Sequence, residues 1–301
     1  MDQPNKPLLG AIEAGGTKFV CAAGYAPDAL IATETFPTTS PEETFDQVKR
    51  FFKSVNDDHA CVEVIGVASF GPVNIDRASP SYGSVLKTPK PDWSGASFPE
   101  HLAPLGARLI VDTDVNGAAL GEYTHGAGSA LQSLAYVTVG TGIGVGVVKS
   151  GEPLSGVGHY EMGHIRPPRD LTRDPFKGRC PFHDDCLEGL ACGPAIIDRW
   201  GAPLSALGAE PVEIIAGYLS HLTLTIILTH MPERIIFGGG VIKTPGLIEK
   251  IREQTAQLLG GYIQVKAISG DLTEYIVPPD LGDLSGITGA MTLAAQKNCR
   301  R

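Results

Sequence analysis

Two cysteines and a histidine fall within seven positions in the stretch CPFHDDCLEG. Cys180, His183 and Cys186 form a C-x₂-H-x₂-C pattern, and thiolate and imidazole together are a ligand set that selects zinc. A closed structural zinc site needs a fourth ligand, for which His159 and His164 are the nearby upstream candidates. The pattern predicts a zinc site. The alternative is a coincidence of buried thiols with a surface histidine.

The segment around this pattern, residues 166–186, is rich in Pro, Arg and Asp. Such a segment does not form a core of its own, so a bound ion would pin it in place. Glu161 and Glu188 bracket the segment, and carboxylates are suitable acceptors for the hydroxyl groups of a polyol. They are therefore candidate sugar ligands, with solvated surface carboxylates as the alternative.

Three glycine-rich stretches are candidates for binding phosphate groups. GAIEAGGTK is not a Walker A loop, and GTGIGVG departs from the dinucleotide fingerprint because Val145 stands where its third glycine would fall. Alternating glycines share one face of a strand, and a bare face lets a ligand approach the backbone. Tight turns without a ligand are the alternative. The predicted phosphate-binding residues are Gly15, Gly16, Thr17, Lys18, Gly140, Thr141, Gly142, Gly144, Gly146, Gly238, Gly239 and Gly240.

One carboxylate stands where a catalytic group is expected. In DTDVN, Asp114 follows a predicted strand and opens a predicted helix, the position at which open α/β sheets place catalytic groups. It could accept a proton from an attacking hydroxyl during phosphoryl transfer. The alternative is a helix cap.

The elements that must position these groups form a repeated α/β pattern. Residues 8–26 and 133–151 each predict strand, glycine turn, strand. A capping box at Ser40 and Glu43 begins a helix, and GDLSGITGAMTLAAQK predicts a terminal one. At 301 residues the chain is expected to form two domains, with a boundary near residues 115 to 125 that rests on the repeat alone.

Composition excludes several classes of protein. The formal charge of −9 argues against a nucleic-acid or membrane-surface binder, whose footprint would be basic. The N-terminus shows no signal-peptide core, and no run approaches the apolar length of a membrane span. Six cysteines without an export signal indicate reduced thiols or metal ligands. Cys21, Cys61, Cys192 and Cys299 lack partner spacing and are interpreted as core or incidental residues. We expect a cytoplasmic enzyme.

With these residues assembled, the chain resembles the repressor/open reading frame/kinase (ROK) family of sugar kinases, in its zinc-containing fructokinase branch. The resemblance covers essentially the whole chain. Glu13, Thr113 and His183 stand where the family more often has Asp, Asn and Cys, which favours that branch over glucokinases. The motifs that carry the resemblance, in order, are GAIEAGGTK, SFGPVN, DVNGAALGE, VTVGTGIGVG, EMGH, CPFHDDCLEG and FGGGV.

The resemblance implies an actin-like, ribonuclease-H-type fold of two α/β domains around a central cleft, often as a homodimer. The smaller domain would contain residues 1–116 with 285–301, and the larger one residues 117–284. Asp114 would be the general base. Sugar would be held by Asp114, Glu161, His164 and Glu188, and structural zinc by His164, Cys180, His183 and Cys186. ATP would be bound by Glu13, Gly15, Gly16, Thr17, Lys18, Thr141, Gly142, Gly238, Gly239 and Gly240.

The implied reaction is Mg-ATP-dependent phosphorylation of a hexose, D-fructose at its 6-hydroxyl. Another hexose, such as mannose, glucose or an N-acetylated hexosamine, is the alternative within the enzyme class. Sugar-responsive repressors of the family carry a helix-turn-helix before the first phosphate strand, whereas only nine residues precede Gly10 here. A non-catalytic sugar-sensing protein would have lost Asp114 or the phosphate loops, and both are intact.

Overall fold

A computed structural model describes residues 6–296. Cys299 and the outer ends of the smaller predicted domain, residues 1–5 and 297–301, lie outside the described residues. The chain divides into two compact units. Unit 1 contains the described residues of Met1–Gly126, Glu152–His159 and Asp283–Arg301, and unit 2 contains Ala127–Gly151 and Tyr160–Gly282.

This division returns the C-terminal helix to the first unit, as does the division expected from sequence. The two divisions differ over residues 117–126, 152–159 and 283–284, which belong to unit 1 in the structure. The reason is packing, because the helix that begins at Asp114 lies along the C-terminal helix and the sheet of unit 1.

Unit 1 is built on a sheet with the strand order β3-β2-β1-β4-β5. β1 pairs antiparallel with β2 and β2 with β3, whereas β4 runs parallel to both β1 and β5. The segment LIATETFP forms β3. The elements of unit 1 are β1 Leu9–Ala14, β2 Lys18–Gly24, β3 Leu30–Pro37, α1 Pro41–Asp58, β4 Val64–Ser69, α2 Phe98–Leu102, β5 Arg108–Thr113, α3 Asp114–His125, β8 Glu152–Pro153 and α8 Ser285–Gln296.

Helix α1 covers one face of this sheet and begins as its sequence indicates. The side chain of Ser40 accepts a hydrogen bond from the N–H of Glu43 at 3.4 Å, which satisfies an N–H that the helix itself leaves without a partner. Buried aromatic rings fill the core beneath the helix. The ring centroid of Trp93 lies 5.5 Å from the ring centroids of both Phe19 and Phe45. The Trp93 indole N–H donates to the carbonyl of Thr39 at 2.8 Å, so this buried polar group is satisfied.

Glycines bring α3 and α8 together in unit 1. A Cβ at Gly289 would overlap the carbonyl oxygen of Gly117, and a Cβ at Gly121 would overlap the carbonyl oxygen of Ser285. Without side chains at these positions, the two backbones touch. At the same contact, the Ser285 hydroxyl donates to the buried carboxylate of Glu122 at 2.7 Å.

We expect Gly289→Ala to destabilise unit 1, because the new methyl group has only backbone to displace. Overpacking of this kind costs about 1–3 kcal/mol. Gly158→Ala is the matched control, since no described atom lies within 4 Å of its Cβ position. Urea unfolding measures both variants. Equal midpoints would show that the α3–α8 contact relaxes without cost.

Unit 2 repeats the pattern of unit 1. Its strands are ordered β10-β9-β6-β7. The antiparallel pair β6–β7 has β9 parallel to its first strand, just as β1–β2 has β4. The elements are β6 Ser133–Val139, β7 Ile143–Lys149, α4 Leu187–Ala191, α5 Gly193–Trp200, α6 Ala209–His230, β9 Ile235–Gly238, α7 Leu247–Leu259 and β10 Ile276–Val277.

Across the two units, short 3₁₀ turns lie at Ala103–Leu105, Met162–His164, Leu204–Ala206 and Gly282–Leu284.

Helix α6 is the central helix of unit 2. Among the described residues it is the one helix long and apolar enough to cross a membrane by length and composition. Half of its most apolar stretch is buried inside the protein, and it packs against α7 and α4. A buried core helix meets the same criterion, so the length of α6 is weak evidence for a span.

Candidate active site

The first glycine turn joins β1 to β2 in unit 1. Its ends are tied by the N–H of Gly15, which donates to the carbonyl of Lys18 at 2.9 Å. The hydroxyl of Thr38 holds the carbonyl of Gly15 at 2.7 Å. No described atom lies within 4 Å of the Cβ position of Gly16, and Thr17 is exposed. The turn therefore leaves backbone groups and the Thr17 hydroxyl accessible, as the predicted phosphate site requires.

Glu13 lies in β1 beside this turn and meets the first turn of α8. The Cβ position of Gly286 is 2.5 Å from the carboxyl carbon of Glu13, so a side chain there would displace that carboxyl group. Burial raises the pKa of the Glu13 carboxyl. The positive charge of Lys18 lowers this pKa, the negative charge of Asp283 raises it, and the N–H of Ile287 lowers it. Glu13 is thus a partly buried carboxylate held against a helix N-terminus, where negative charge is favoured.

Asp114 is the first residue of α3, directly after β5. Its Oδ1 accepts the N–H of Val115 at 2.8 Å. The helix cap is Thr113, whose hydroxyl accepts the N–H of Asn116 at 3.1 Å. The capping role considered for Asp114 thus belongs to Thr113. The assignment of Asp114 as general base stays a prediction that this position favours.

The second glycine turn lies between β6 and β7 in unit 2 and is joined to Glu188. The N–H of Ile143 donates to Oε2 of Glu188 at 2.9 Å, and the Cβ position of Gly142 is 2.7 Å from the same oxygen. The N–H of Gly193, at the start of α5, donates to the carbonyl of Gly140 at 2.7 Å. One of the predicted sugar ligands therefore contacts the predicted phosphate turn, a link with no signal in the sequence.

The open part of this glycine stretch is the turn rather than the whole strand. Gly146 is buried in β7 and pairs with Tyr136 of β6. The hydroxyl of Tyr136 occupies the place where a Cβ of Gly238 would stand. The bare face expected along all four glycines therefore does not extend to Gly146. In the third stretch Gly240 is exposed, with no described atom within 4 Å of its Cβ position.

The residues of the predicted zinc site lie together in unit 2. The donor atoms of His164, Cys180, His183 and Cys186 all lie within 4.8 Å of one another. Nδ1 of His164 is 3.3 Å from Sγ of Cys186 and 3.9 Å from Sγ of Cys180. Nδ1 of His183 is 3.6 Å from Sγ of Cys180. Ligand bonds of about 2.0–2.3 Å in a tetrahedron give N–S separations of about 3.6 Å, so the donor set fits zinc.

The spacing alone left two histidines as candidates for the fourth ligand. His164, which the resemblance implies, is in this cluster, and His159 is elsewhere. Nε2 of His159 accepts the N–H of Val73 at 3.3 Å in unit 1. Gly163 allows the turn that carries His164 to approach β7, because a Cβ there would overlap the carbonyl oxygen of Ile143. Glu161 is exposed, and its Oε2 lies 4.0 Å from Nε2 of His164. His164 therefore faces a thiol with one nitrogen and a predicted sugar ligand with the other.

Burial disfavours the thiolate form of Cys186. Burial raises the pKa of the Cys186 thiol to about 12, the N–H of Gly189 opposes that shift, and Cys180 adds to it. A thiolate forms at such a position when a metal ion stabilises its charge. Cys192 is also buried, and burial likewise raises the pKa of its thiol to about 11. Cys192 lies outside the cluster, as its spacing predicted.

Sequence reasoning missed a cation beside the first glycine turn. Nζ of Lys90 donates to the carbonyl of Gly16 at 2.6 Å. Lys90 belongs to an irregular segment between β4 and α2, in TPKPDW, and a lone lysine there carries no pattern to single it out. It also missed a buried group of arginine, aspartate and tyrosine side chains that joins residues 166–186 to helices of unit 2.

Two α/β units, each opening with an antiparallel hairpin around a glycine turn, define an actin-like, ribonuclease-H-type fold, and the expectation from sequence is confirmed. A ROK hexokinase from Thermus thermophilus has this fold, with a TM-score of 0.77, 24% identity, and 97% of this chain and 99% of that chain covered. A ROK family glucokinase from Streptomyces griseus, solved with glucose and AMPPNP, gives a TM-score of 0.74 at 22% identity over 96% and 99% of the two chains.

Comparison at the level of sequence identifies the family. The ROK family model matches residues 9–297, and this chain belongs to the ROK family. A fructokinase from Zymomonas mobilis is 42% identical over 298 residues, which cover 96% of this chain and 97% of the relative. The resemblance drawn from the motifs is thereby confirmed.

Proposed function

We propose that this chain is a fructokinase, which transfers the γ-phosphoryl group of Mg-ATP to the 6-hydroxyl of D-fructose. The observation that carries the proposal is the 42% identity to a fructokinase over nearly the full length of both chains. The site residues are compatible with this activity. Both glycine turns are formed, Glu188 contacts the second turn, and the four predicted metal ligands lie together. The expectation of a sugar kinase is confirmed at the level of the family and its fructokinase members.

Asp114 is the proposed general base. Phosphoryl transfer needs a group that accepts the proton of the attacking hydroxyl and holds the oxygen in line. With Thr113 capping α3, the carboxylate of Asp114 is placed at the helix start by the backbone. Glu161 and Glu188 are proposed to accept hydrogen bonds from the remaining sugar hydroxyls, and Nε2 of His164 is proposed to donate one.

The two glycine turns and the glycine triplet are proposed to bind the nucleotide. Backbone N–H groups in bare turns bind phosphate without reorganisation. Glu13, Gly15, Gly16, Thr17 and Lys18 would act from unit 1. The other residues, all in unit 2, are Thr141, Gly142, Gly238, Gly239 and Gly240. The presence of AMPPNP in the glucokinase from Streptomyces griseus supports a nucleotide in this fold. Mg²⁺ would supply charge neutralisation of the transferred phosphoryl group.

His164, Cys180, His183 and Cys186 are proposed to hold one zinc ion. Bound zinc would supply structural cross-linking of the loop to the turn that carries His164. By holding Nδ1, the metal site would direct Nε2 of His164 toward the sugar. We also propose that the protein works in the cytoplasm as a homodimer, without nucleic acid or membrane, as its family and its charge of −9 suggest.

The test is the initial rate of phosphorylation with Mg-ATP across fructose, mannose, glucose, N-acetylglucosamine and N-acetylmannosamine. Zinc content is determined on the same sample. We expect kcat/KM for fructose to exceed the others at least tenfold, about 1.4 kcal/mol of discrimination. Preference for another hexose would keep the mechanism and change the substrate. Lack of activity on all five sugars, with zinc present and ATP bound, would refute the proposal that this protein is a sugar kinase.

A further inference from the structure

The loop of residues 166–186 contributes to a buried cluster of charged and polar side chains, none of which is a proposed ligand. Asp174 is 4% exposed. Its Oδ2 lies 3.2 Å from Nη1 of Arg199 and 4.0 Å from Nη2 of Arg169. The hydroxyl of Tyr218 donates to the same oxygen at 2.5 Å. A carboxylate is tolerated at such depth because it is paired and hydrogen-bonded. We refer to Asp174, Arg169, Arg199 and Tyr218 as the Asp174 network.

The Asp174 network joins the loop to three helices of unit 2. Arg199 is in α5, and its Nη2 donates to the carbonyl of Leu190 in α4 at 2.8 Å. Its guanidinium lies 4.5 Å from the ring centroids of Phe176 in the loop and Trp200 in α5. Tyr218 comes from α6. The loop is therefore attached to the body of the unit by contacts that need no metal ion.

Arg169 connects this attachment to the metal ligands. Its Nη2 donates to the backbone carbonyls of Asp174, at 3.2 Å, and Phe176. Its Nη1 donates to Oδ2 of Asp185 at 3.3 Å, and Asp185 directly precedes Cys186. Arg166 donates to the other oxygen of Asp185 at 2.5 Å. The position of Cys186 thus depends, through Asp185 and Arg169, on where Asp174 is held.

We propose that Asp174 is a positioning residue, which keeps the loop of residues 166–186 folded without the metal ion and presents the metal ligands preassembled. The inference rests on the metal site of the proposed function. It revises the expectation that an ion alone pins this segment. Groups that orient metal ligands from the outer shell typically change metal affinity 10- to 100-fold when they are removed.

The decisive variant is Asp174→Asn, which keeps the shape of the side chain and removes the charge shared by the two arginines. Asp170→Asn is the matched control, because it makes the same change in the same loop. Asp170 is exposed, and its partners are Thr172 and Arg173. Zinc affinity is measured by competition with a chromophoric chelator. Loop order is measured by the rate at which trypsin cuts zinc-stripped full-length protein after Lys177, which is exposed and three residues from the substituted position.

We expect the zinc-stripped wild type and Asp170→Asn to be cut slowly in the loop, within threefold of their zinc-loaded forms. Zinc-stripped Asp174→Asn should be cut at least tenfold faster, and its zinc affinity should fall at least tenfold. If zinc removal alone exposes the loop of the wild type as fully as Asp174→Asn does, the metal orders the loop and the proposal is wrong. Unchanged affinity and protection in Asp174→Asn would also overturn it.

Tyr218→Phe keeps the test decisive if Asp174→Asn does not fold. This variant removes one hydrogen bond and no charge, and we expect loop cleavage of its zinc-stripped form to rise at least twofold; an unchanged rate would overturn the proposal. Neither readout involves sugar or nucleotide. A protein that behaves as expected here but phosphorylates no hexose would refute the proposed function alone. If the wild type binds no zinc, the four residues are not a zinc site, and the proposal that Asp174 preassembles the metal ligands is wrong.

Discussion

Replacement of Asp114 by Asn is expected to lower kcat for fructose phosphorylation by about 10²- to 10⁴-fold, the usual contribution of a general base. Asn retains the carbonyl oxygen that accepts the N–H of Val115 and loses the capacity to take a proton. Thr113 still caps α3, so the helix should begin at the same residue. The loss should therefore appear in kcat, while the dissociation constant for fructose changes little.

The measurement combines steady-state kinetics with calorimetric titration of fructose. Asp57→Asn is the control, since it makes the same change at an exposed position near the end of α1 in the same unit. It should have wild-type kcat. Near-normal kcat in Asp114→Asn would show that another group accepts the proton. A large loss of fructose affinity with little change in kcat would instead assign Asp114 to substrate binding.

Replacement of Cys186 by Ser is expected to abolish stoichiometric zinc binding and to raise KM for fructose at least tenfold. Cys186 is fully buried, and Nδ1 of His164 lies 3.3 Å from its sulfur. A serine hydroxyl is a poor ligand for zinc beside a thiolate and two imidazoles. Without the ion, His164 would no longer be held in one orientation, and the predicted sugar contact of its other nitrogen would be lost.

Zinc per chain is measured by elemental analysis after gel filtration, together with KM for fructose and for ATP. Cys192→Ser is the matched control, because Cys192 is also buried but lies outside the cluster. It should keep one zinc per chain and a wild-type KM. Retention of one zinc by Cys186→Ser, with KM for fructose unchanged, would contradict both the ligand assignment and the proposed link between zinc and sugar.

Much of the local structure could be predicted because it depends on short-range rules. Ser40 and Glu43 mark the start of α1 by a hydrogen bond that spans three residues. The alternation and glycine pattern of residues 8–26 predict the β1–β2 hairpin, and the same reasoning predicts β6–β7. Cys180, His183 and Cys186 fall within seven positions, so one local turn of the chain can bring their side chains together. In each case the interacting groups are neighbours in the chain.

The sequence by itself thus determined the two hairpins, their glycine turns, the nucleus of a candidate metal site and the family. Only the tertiary structure decided that Glu188 contacts the second glycine turn and that α3 packs with unit 1. It alone revealed the Asp174 network, whose members lie up to 49 positions apart, from Arg169 to Tyr218. A buried charge finds its partners through the packing of helices, and that packing leaves no pattern in the spacing of the residues it unites.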